Sequence, residues 1–245
     1  MVFTDIHSHV LFGTDDGAKN EEEMHAIVDG AYGSGTRVLC CTPHFHPGYF
    51  GDNRSQADSA YGKLREYVGL KYPDMSLYIG NELRYAPECT AWLQSGACRT
   101  LNGTRFVLVD FSEAAPEKLI TDGLHRLLNA GYIPVLAHVE RYRALHRRSA
   151  VIREYGSNGV ILQADTQSLF RGFGLSVQHQ CRRLLAEGLI DLFSSDTHDC
   201  TGRPPDMSAC AVYLEKKFGA ACAEALCCKN AVNILRGEAV RKDFS

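Results

Sequence analysis

The chain has 245 residues, 45% of them hydrophobic and 22% charged, a composition that can build a full core and excludes intrinsic disorder. Its net charge is −3 and its basic runs stop at pairs such as Arg147 and Arg148, which excludes a general footprint for nucleic acid or an anionic membrane. No window approaches the roughly 18 to 20 consecutive apolar residues of a membrane span, so membrane insertion is not expected either.

From the N-terminus, Met1 to His9 carries neither the basic start nor the long apolar run of a signal peptide, and a cytoplasmic protein is expected. Val2 to His7 reads as a first strand that runs into Asp5-Ile6-His7-Ser8-His9. The two-residue period of a strand points His7 and His9 the same way, so that two imidazoles could share one ion. Asp15-Asp16-Gly17 follows. Asn20, with Glu23 three residues on, then opens a helix with Met24, Ile27, Val28, Ala31 and Tyr32 on one face, expected to end at Gly33. A second strand, Arg37 to Cys41, delivers Thr42-Pro43-His44-Phe45-His46, and Pro47 to Asp58, rich in Gly, Asn, Asp and Ser, reads as the longest loop. Ser76 to Gly80 leads into Gly80-Asn81-Glu82, and Arg105 to Asp110 ends on its own carboxylate.

A helix near Glu117 to Asn129 stops at Gly131, and Ile133 to His138 runs into His138-Val139-Glu140-Arg141. Beyond a helix near Ser149 to Tyr155 come a strand at Val160 to Gln163 and a helix from Ser176 to Glu187, closed by Gly188. The last strand, Ile190 to Ser194, delivers Ser195-Asp196-Thr197-His198, and the C-terminal third is helical. Strands alternating with crossover helices imply an α/β barrel in a single domain, 1–245, with an open doubly wound sheet as the competing architecture.

Nearly every predicted strand carries a His, Asp or Glu to its C-terminal end, where barrel active sites sit. One His-x-His pair says little. Carboxylates and imidazoles gathered at one end of successive strands say more, because such carboxylates repel and desolvate poorly unless cations neutralise them. The ten cysteines are scattered without CxxC spacing and read as reduced, mostly core thiols. None has an Arg six positions later, as a thiol-based tyrosine phosphatase loop requires, and neither GxxxxGK[ST] nor GxSxG occurs.

The motifs DIHSH, DDG, TPH, GNE, AHVERY and SSDTH, in this order across most of the chain, resemble the polymerase-and-histidinol-phosphatase (PHP) superfamily of metal-dependent phosphoesterases. DDG after DIHSH, AHVERY, and SSDTH followed by Gly202-Arg203-Pro204-Pro205 resemble more narrowly its bacterial capsule and exopolysaccharide branch, the manganese-dependent protein-tyrosine phosphatases of the CpsB and YwqE type. That resemblance implies a distorted (β/α)7 TIM-like PHP barrel with a metal site at the C-terminal ends of the strands. It also implies three ions, the first held by His7, His9, Glu82 and Asp196, the second by Glu82, Asp110 and His138, and the third by Asp16, His44 and His198. Asp110 stands where the branch usually has a Glu. A hard donor set without thiolate suits manganese or iron better than structural zinc, and Mn2+ is the cofactor implied, with Fe or Zn able to take its place.

The implied reaction is hydrolysis of phosphotyrosine by a metal-bridging hydroxide, with Arg141 and Arg203 holding the phosphate. Salt bridges to Glu140 or Asp206 are the structural alternative for these two arginines. The implied partner is a phosphotyrosine protein, the tyrosine-rich tail of a bacterial capsule-type kinase being the candidate. A small-molecule phosphatase acting on histidinol phosphate, or a non-catalytic metal-binding PHP module, would share the motifs. His46 is open between a site-facing and a solvated role, Asp199 between orienting His198, donating a proton and lying in an exposed loop, and Arg84 and Tyr85 between lining the mouth and packing. His25, His125, His146 and His179 read as structural histidines in helices.

Overall fold

A computed structural model describes residues 1–240. Among the described residues, β1 (Phe3–Asp5), β2 (Thr36–Cys41) and β4 (Ser76–Ile79) pair in the order β1-β2-β4. A second group, β3 (His44–Phe45), β5 (Glu82–Arg84), β6 (Phe106–Asp110), β7 (Ile133–Leu136), β8 (Ile161–Asp165) and β9 (Leu192–Ser194), pairs in the order β3-β5-β6-β7-β8-β9. Every pairing is parallel, so each strand must be reached by a crossover rather than a hairpin. β6 and β8 are buried along their whole length, as strands covered on both faces must be.

The two groups are continuous at both joints. Gly80 N donates to the Cys41 carbonyl (2.9 Å) and Glu82 N to that of Pro43 (3.2 Å), carrying the ladder across the breaks between β2 and β3 and between β4 and β5. At the far side a parallel bridge pairs Ser8 with Thr197, with His9 N on the Thr197 carbonyl (2.9 Å) and Asp196 N on that of His7 (3.0 Å). The result is a mixed α/β fold with a curled parallel sheet.

Crossovers are α1 (Glu21–Ser34), α2 (Pro47–Phe50), α3 (Arg54–Lys71), α4 (Cys89–Gln94), α5 (Glu117–Asn129), α6 (Ser149–Ser157) and α7 (Leu175–Ala186). After β9 come α8 (Ser208–Phe218), α9 (Ala220–Glu224), a π turn at Ala225–Lys229 and α10 (Asn230–Arg236). Ile6, Cys40, Leu108, Val135, Ile161 and Leu192 pack with Ala231, Ile234 and Leu235 of α10. Asn102 Nδ2 donates to the Leu235 carbonyl (2.9 Å) just before β6 begins, so α10 closes the N-terminal end of the strands and leaves the other end open.

Several boundaries differ from the sequence expectation for physical reasons. Asn20 does cap α1, its Oδ1 accepting Glu23 N at 2.8 Å, but the helix ends at Gly35 rather than Gly33. Gly35 has φ +111°, the left-handed turn that releases a helix, whereas Gly33 lies inside the last turn. The expected loop at 47–58 is largely helix: α2 fills its start and α3 begins within it. The core stripe of α3 is Ala57, Ala60, Leu64 and Val68, half of it alanine, and so carries little apolar signal among Ser, Asp and Gly. β8 extends to Asp165, two residues past the expected Gln163. All ten cysteines are free, and eight of them are buried.

Candidate active site

The open end of the sheet collects the strand-end side chains into one cluster. Nε2 of His7 and Nε2 of His9 lie 3.2 Å apart. Each faces Asp196 Oδ1, at 3.2 and 3.3 Å, and Glu82 Oε2, at 3.4 and 3.3 Å. Glu82 is the hub: Oε2 also lies 2.8 Å from His44 Nδ1, and Oε1 lies 3.1 Å from His138 Nε2. Asp16 Oδ1 stands 3.5 Å from His44 Nε2 and 3.3 Å from His198 Nε2. Asp110 is buried at the end of β6, with Oδ2 3.0 Å from Arg84 and Oδ1 without a hydrogen bond.

Three groups of donor atoms therefore converge, each with its atoms within 4.8 Å of one another: His7, His9 and Glu82; Glu82, Asp110 and His138; and His9, Asp16, His44 and His198. These are close to the three sets implied by the sequence resemblance, with His9 added to the third and Asp196 lying against the first. Donors bound at about 2.1 Å to one ion sit roughly 3.0 to 3.4 Å apart, which is the spacing around Glu82 and Asp196. Glu82 Oε2 makes no aligned hydrogen bond with any of the three imidazoles it faces, and Asp110 Oδ1, His138 Nδ1 and His198 Nε2 are likewise buried without partners. Buried polar atoms left so are costly unless something else satisfies them, and the residues fit divalent cations.

The electrostatics agree. Burial opposes a charge on His7, yet Asp196 and Glu82 outweigh it and lift the imidazole to about 9. Burial also opposes ionisation of Glu82, but His44 and His7 hold it well below the usual carboxylate range, and His7 does the same for Asp196. Asp110 goes the other way, pushed up to about 8 by burial and then by the charge of Glu82. The upward shifts of His7, His9 and His44 and of the Asp110 carboxyl mark a cluster short of positive charge, which bound divalent cations would supply.

The backbone is shaped for the site. His138 (φ +37°) and Asp196 (φ +52°) both take left-handed conformations that non-glycine residues adopt at a cost, and both occur where a strand ends in the cluster. Gly17 packs so closely under His9 that a Cβ would collide with the His9 carbonyl.

A second layer was not assigned from sequence. Asp15 Oδ2 lies 2.7 Å from His9 Nδ1 and accepts His44 N at 2.9 Å, while its Oδ1 accepts Gly17 N at 3.0 Å. This turns the Nε2 face of His9 toward the cluster, as a carboxylate behind a metal-binding imidazole does. Gln163 Oε1 accepts His138 N (2.9 Å) and faces His7 Nδ1 (3.2 Å), while its Nε2 donates to Asp165 Oδ1 (3.0 Å). Asp165 Oδ2 in turn accepts from Arg141 (3.3 Å). Asp15 was visible in DDG but shared its neighbour's type; Asp165 shares the strand parity of Gln163 and appears once β8 is extended.

Arg141 and Arg203 line the same cleft, about 320 Å3 in volume, with Asp16, His44, Glu82, Arg84, Asp110, Phe111, Ser112, Glu113, His138 and Asp196. Arg141 Nη1 donates to Asp196 Oδ2 (3.1 Å) and Nη2 to Glu113 Oε1 (2.8 Å), and Arg203 bonds the same Asp196 oxygen. Both guanidiniums lie over Phe173, 4.4 and 5.8 Å from its ring centre. The alternative pairings do not form. Glu140 is fully buried and takes Ser168 Oγ (2.6 Å) and Asp165 N (3.0 Å), while Asp206 Oδ1 accepts Ser208 N (2.7 Å).

The residues whose roles were open divide cleanly. Arg84 reaches the cleft; Tyr85 stacks on Phe111 at 4.9 Å. His46 is outside the donor groups and stacks on Tyr49. His25 stacks on Tyr67 at 3.7 Å, and His146, expected in a helix, follows a short 3-10 turn with Nε2 facing the Glu140 carbonyl (3.2 Å). Asp199 is a loop brace: its Oδ1 accepts the amides of Thr201 (2.6 Å), Gly202 and Arg203 (3.3 Å). A Cβ at Gly202 would lie 3.2 Å from the Asp199 carboxylate, so the loop closes tightly. Asp199→Ala is therefore expected to weaken binding of inorganic phosphate, a probe for two guanidiniums in one cleft, about 10-fold through a misplaced Arg203, with Asp199→Asn largely restoring it. Unchanged phosphate binding, measured by calorimetry, would remove this brace from the site.

A family model described as capsular polysaccharide synthesis, CpsB/CapC, matches residues 3–236. The tyrosine-protein phosphatase CpsB of Streptococcus pneumoniae is 30% identical over 241 residues, 96% of this chain and 99% of that protein. Among solved structures, one described as YwqE from Bacillus subtilis and CpsB from Streptococcus pneumoniae, unique metal-dependent tyrosine phosphatases, superposes with a TM-score of 0.86 at 27% identity, covering 97% of this chain and 96% of the other. A phosphotriesterase homology protein from Escherichia coli shares the fold alone, with a TM-score of 0.51 at 12% identity over 96% of this chain and 95% of the other.

Proposed function

The chain belongs to the CpsB/CapC family of capsular polysaccharide synthesis, and from that premise we propose that it is a metal-dependent protein-tyrosine phosphatase that uses manganese and serves capsule or exopolysaccharide regulation. The observation that carries the reading is the convergence, in one cleft, of three sets of hard donor atoms with two arginines. His7, His9, Glu82 and Asp196 would hold one ion, Glu82, Asp110 and His138 a second, and Asp16, His44 and His198 a third; His9 has only Nε2 to give, because Asp15 takes its Nδ1. When bound, divalent ions there supply charge neutralisation and a water-derived nucleophile at neutral pH.

This chain's own groups do the rest. Arg141 and Arg203, which meet at Asp196 Oδ2 over Phe173, would exchange that carboxylate contact for phosphate oxygens and oppose the charge that builds on them. Asp15 and Gln163 keep the imidazoles of His9 and His7 turned toward the cluster. The tyrosine leaving group, whose hydroxyl has an ordinary pKa near 10, departs with little help from a general acid.

The reading takes β2 with β3, and β4 with β5, as two interrupted strands, which makes a closed (β/α)7 barrel in one domain, 1–245. It places the enzyme in the cytoplasm, in keeping with ten free thiols and with the lack, among the described residues, of a helix long and apolar enough to cross a membrane. A phosphotyrosine protein such as a bacterial tyrosine kinase tail is the proposed partner.

The test is a side-by-side rate comparison, with added manganese, of a phosphotyrosine peptide, a phosphoserine peptide and histidinol phosphate. The phosphotyrosine peptide should be the best substrate, and chelation should lower its rate about 100-fold or more, with recovery on returning the metal. Activity that survives complete metal removal would overturn the mechanism; preference for histidinol phosphate would overturn the substrate.

A further inference from the structure

On the phosphatase reading, the cleft that collects the arginines and donor atoms takes the phosphate. Among the described residues, Phe111 is the only Phe, Tyr or Trp in its lining, and it is buried, packed between Tyr85 and Tyr142. A phosphorylated aromatic ring entering this cleft therefore needs an apolar surface outside it, within one ring's width of the phosphate. Two aromatic groups adjoin the rim. Phe173 is one, but the Arg141 guanidinium already covers its ring at 4.4 Å.

The other group lies on α2. Phe50 stacks flat on the His44 imidazole, with ring centres 5.3 Å apart and planes 8° apart, and His44 is itself part of the cleft lining. Tyr49 meets Phe50 edge-on at 4.8 Å and stacks on His46 at 5.7 Å. It is nevertheless 76% exposed, which is a large apolar surface to leave in water. The helix that carries it is four residues long, buries none of them, has no side-chain cap and ends at Gly51 with φ +70°. A segment so lightly packed can adjust its angle to a guest at little cost.

We infer that Tyr49, backed by Phe50, is the platform on which the aromatic ring of the substrate rests, so that α2 sets the preference for aryl over alkyl phosphates. The inference rests on the phosphatase reading given above. An aromatic pair with ring centres about 4.5 to 7 Å apart, together with the burial of Tyr49 itself, corresponds to about a tenfold effect.

The experiment compares kcat/KM for a phosphotyrosine peptide and a phosphoserine peptide in the metal-loaded wild type, Tyr49→Ala and Tyr49→Phe. It also measures the inhibition constant of inorganic phosphate, which reaches only the cleft. Tyr49→Ala should lower the aryl-to-alkyl ratio about 10-fold, chiefly through KM for the phosphotyrosine peptide, while phosphate inhibition moves less than twofold; Tyr49→Phe should keep the ratio. A fall of less than fivefold in Tyr49→Ala, or an equal weakening of phosphate inhibition, overturns the platform. A wild type that does not hydrolyse the phosphotyrosine peptide at all fails the phosphatase reading instead, and the two failures are told apart by that control.

Discussion

Glu82→Gln should lose about 10^3-fold or more in phosphotyrosine hydrolysis while the protein keeps its fold. Among the described residues, Glu82 is the one side chain that faces four imidazoles, those of His7, His9, His44 and His138, and it contributes to two of the three donor groups. Gln keeps the shape and removes the charge, so one oxygen acceptor remains where two anionic ones stood. Divalent ions contribute several kcal/mol of charge stabilisation in such sites, and about 4 kcal/mol is a 10^3-fold change in rate. The bound metal, measured by elemental analysis, should fall with the rate. A variant that retains its metal and a rate within tenfold of wild type would show that Glu82 is not the hub.

Arg141→Ala should act differently, lowering kcat/KM by about 10^2- to 10^3-fold at unchanged metal content, the usual loss for one donor aimed at developing charge. It should also destabilise the fold. Asp165 is completely buried and Arg141 is the cation it faces, so the single substitution strands a charge. An uncompensated buried charge costs about 3 kcal/mol, or roughly 6 to 12 °C in Tm for a chain of this size. Adding Asp165→Asn removes the stranded charge and should restore most of the Tm and none of the rate. Thermal melts and kinetics on the two variants separate the roles; if the double variant melts no higher than the single one, Asp165 is not what Arg141 neutralises.

What the sequence made legible followed from periodicity and position. His7 and His9 stand two residues apart just past the end of β1, and Asp110, His138 and Asp196 fall at or just past strand ends, so the two-residue period and the barrel rule bring them to one place. Asp15 and Asp165 were not assigned because their function is relational. Asp15 matters through the nitrogen of His9 that it turns away from the cluster, and Asp165 through a chain of contacts from His7 by way of Gln163 to Arg141. α3 escaped because an Ala-rich stripe is a sufficient core face against bulky neighbours yet carries little hydrophobic contrast. The pairing of Arg141 is settled in three dimensions: Glu140 is its sequence neighbour but turns inward to Ser168, leaving Glu113, Asp165 and Asp196 as partners.

Asp196 bears on how the product leaves. One of its oxygens faces the imidazoles, and the other engages both arginines. On the proposed reading, a phosphate entering the cleft would displace a carboxylate oxygen that is tethered beside it and returns as soon as the phosphate lets go. Such a resident competitor acts at high effective concentration. It would weaken the hold on the free anion as much as on the substrate and so favour rapid turnover over a tight grip.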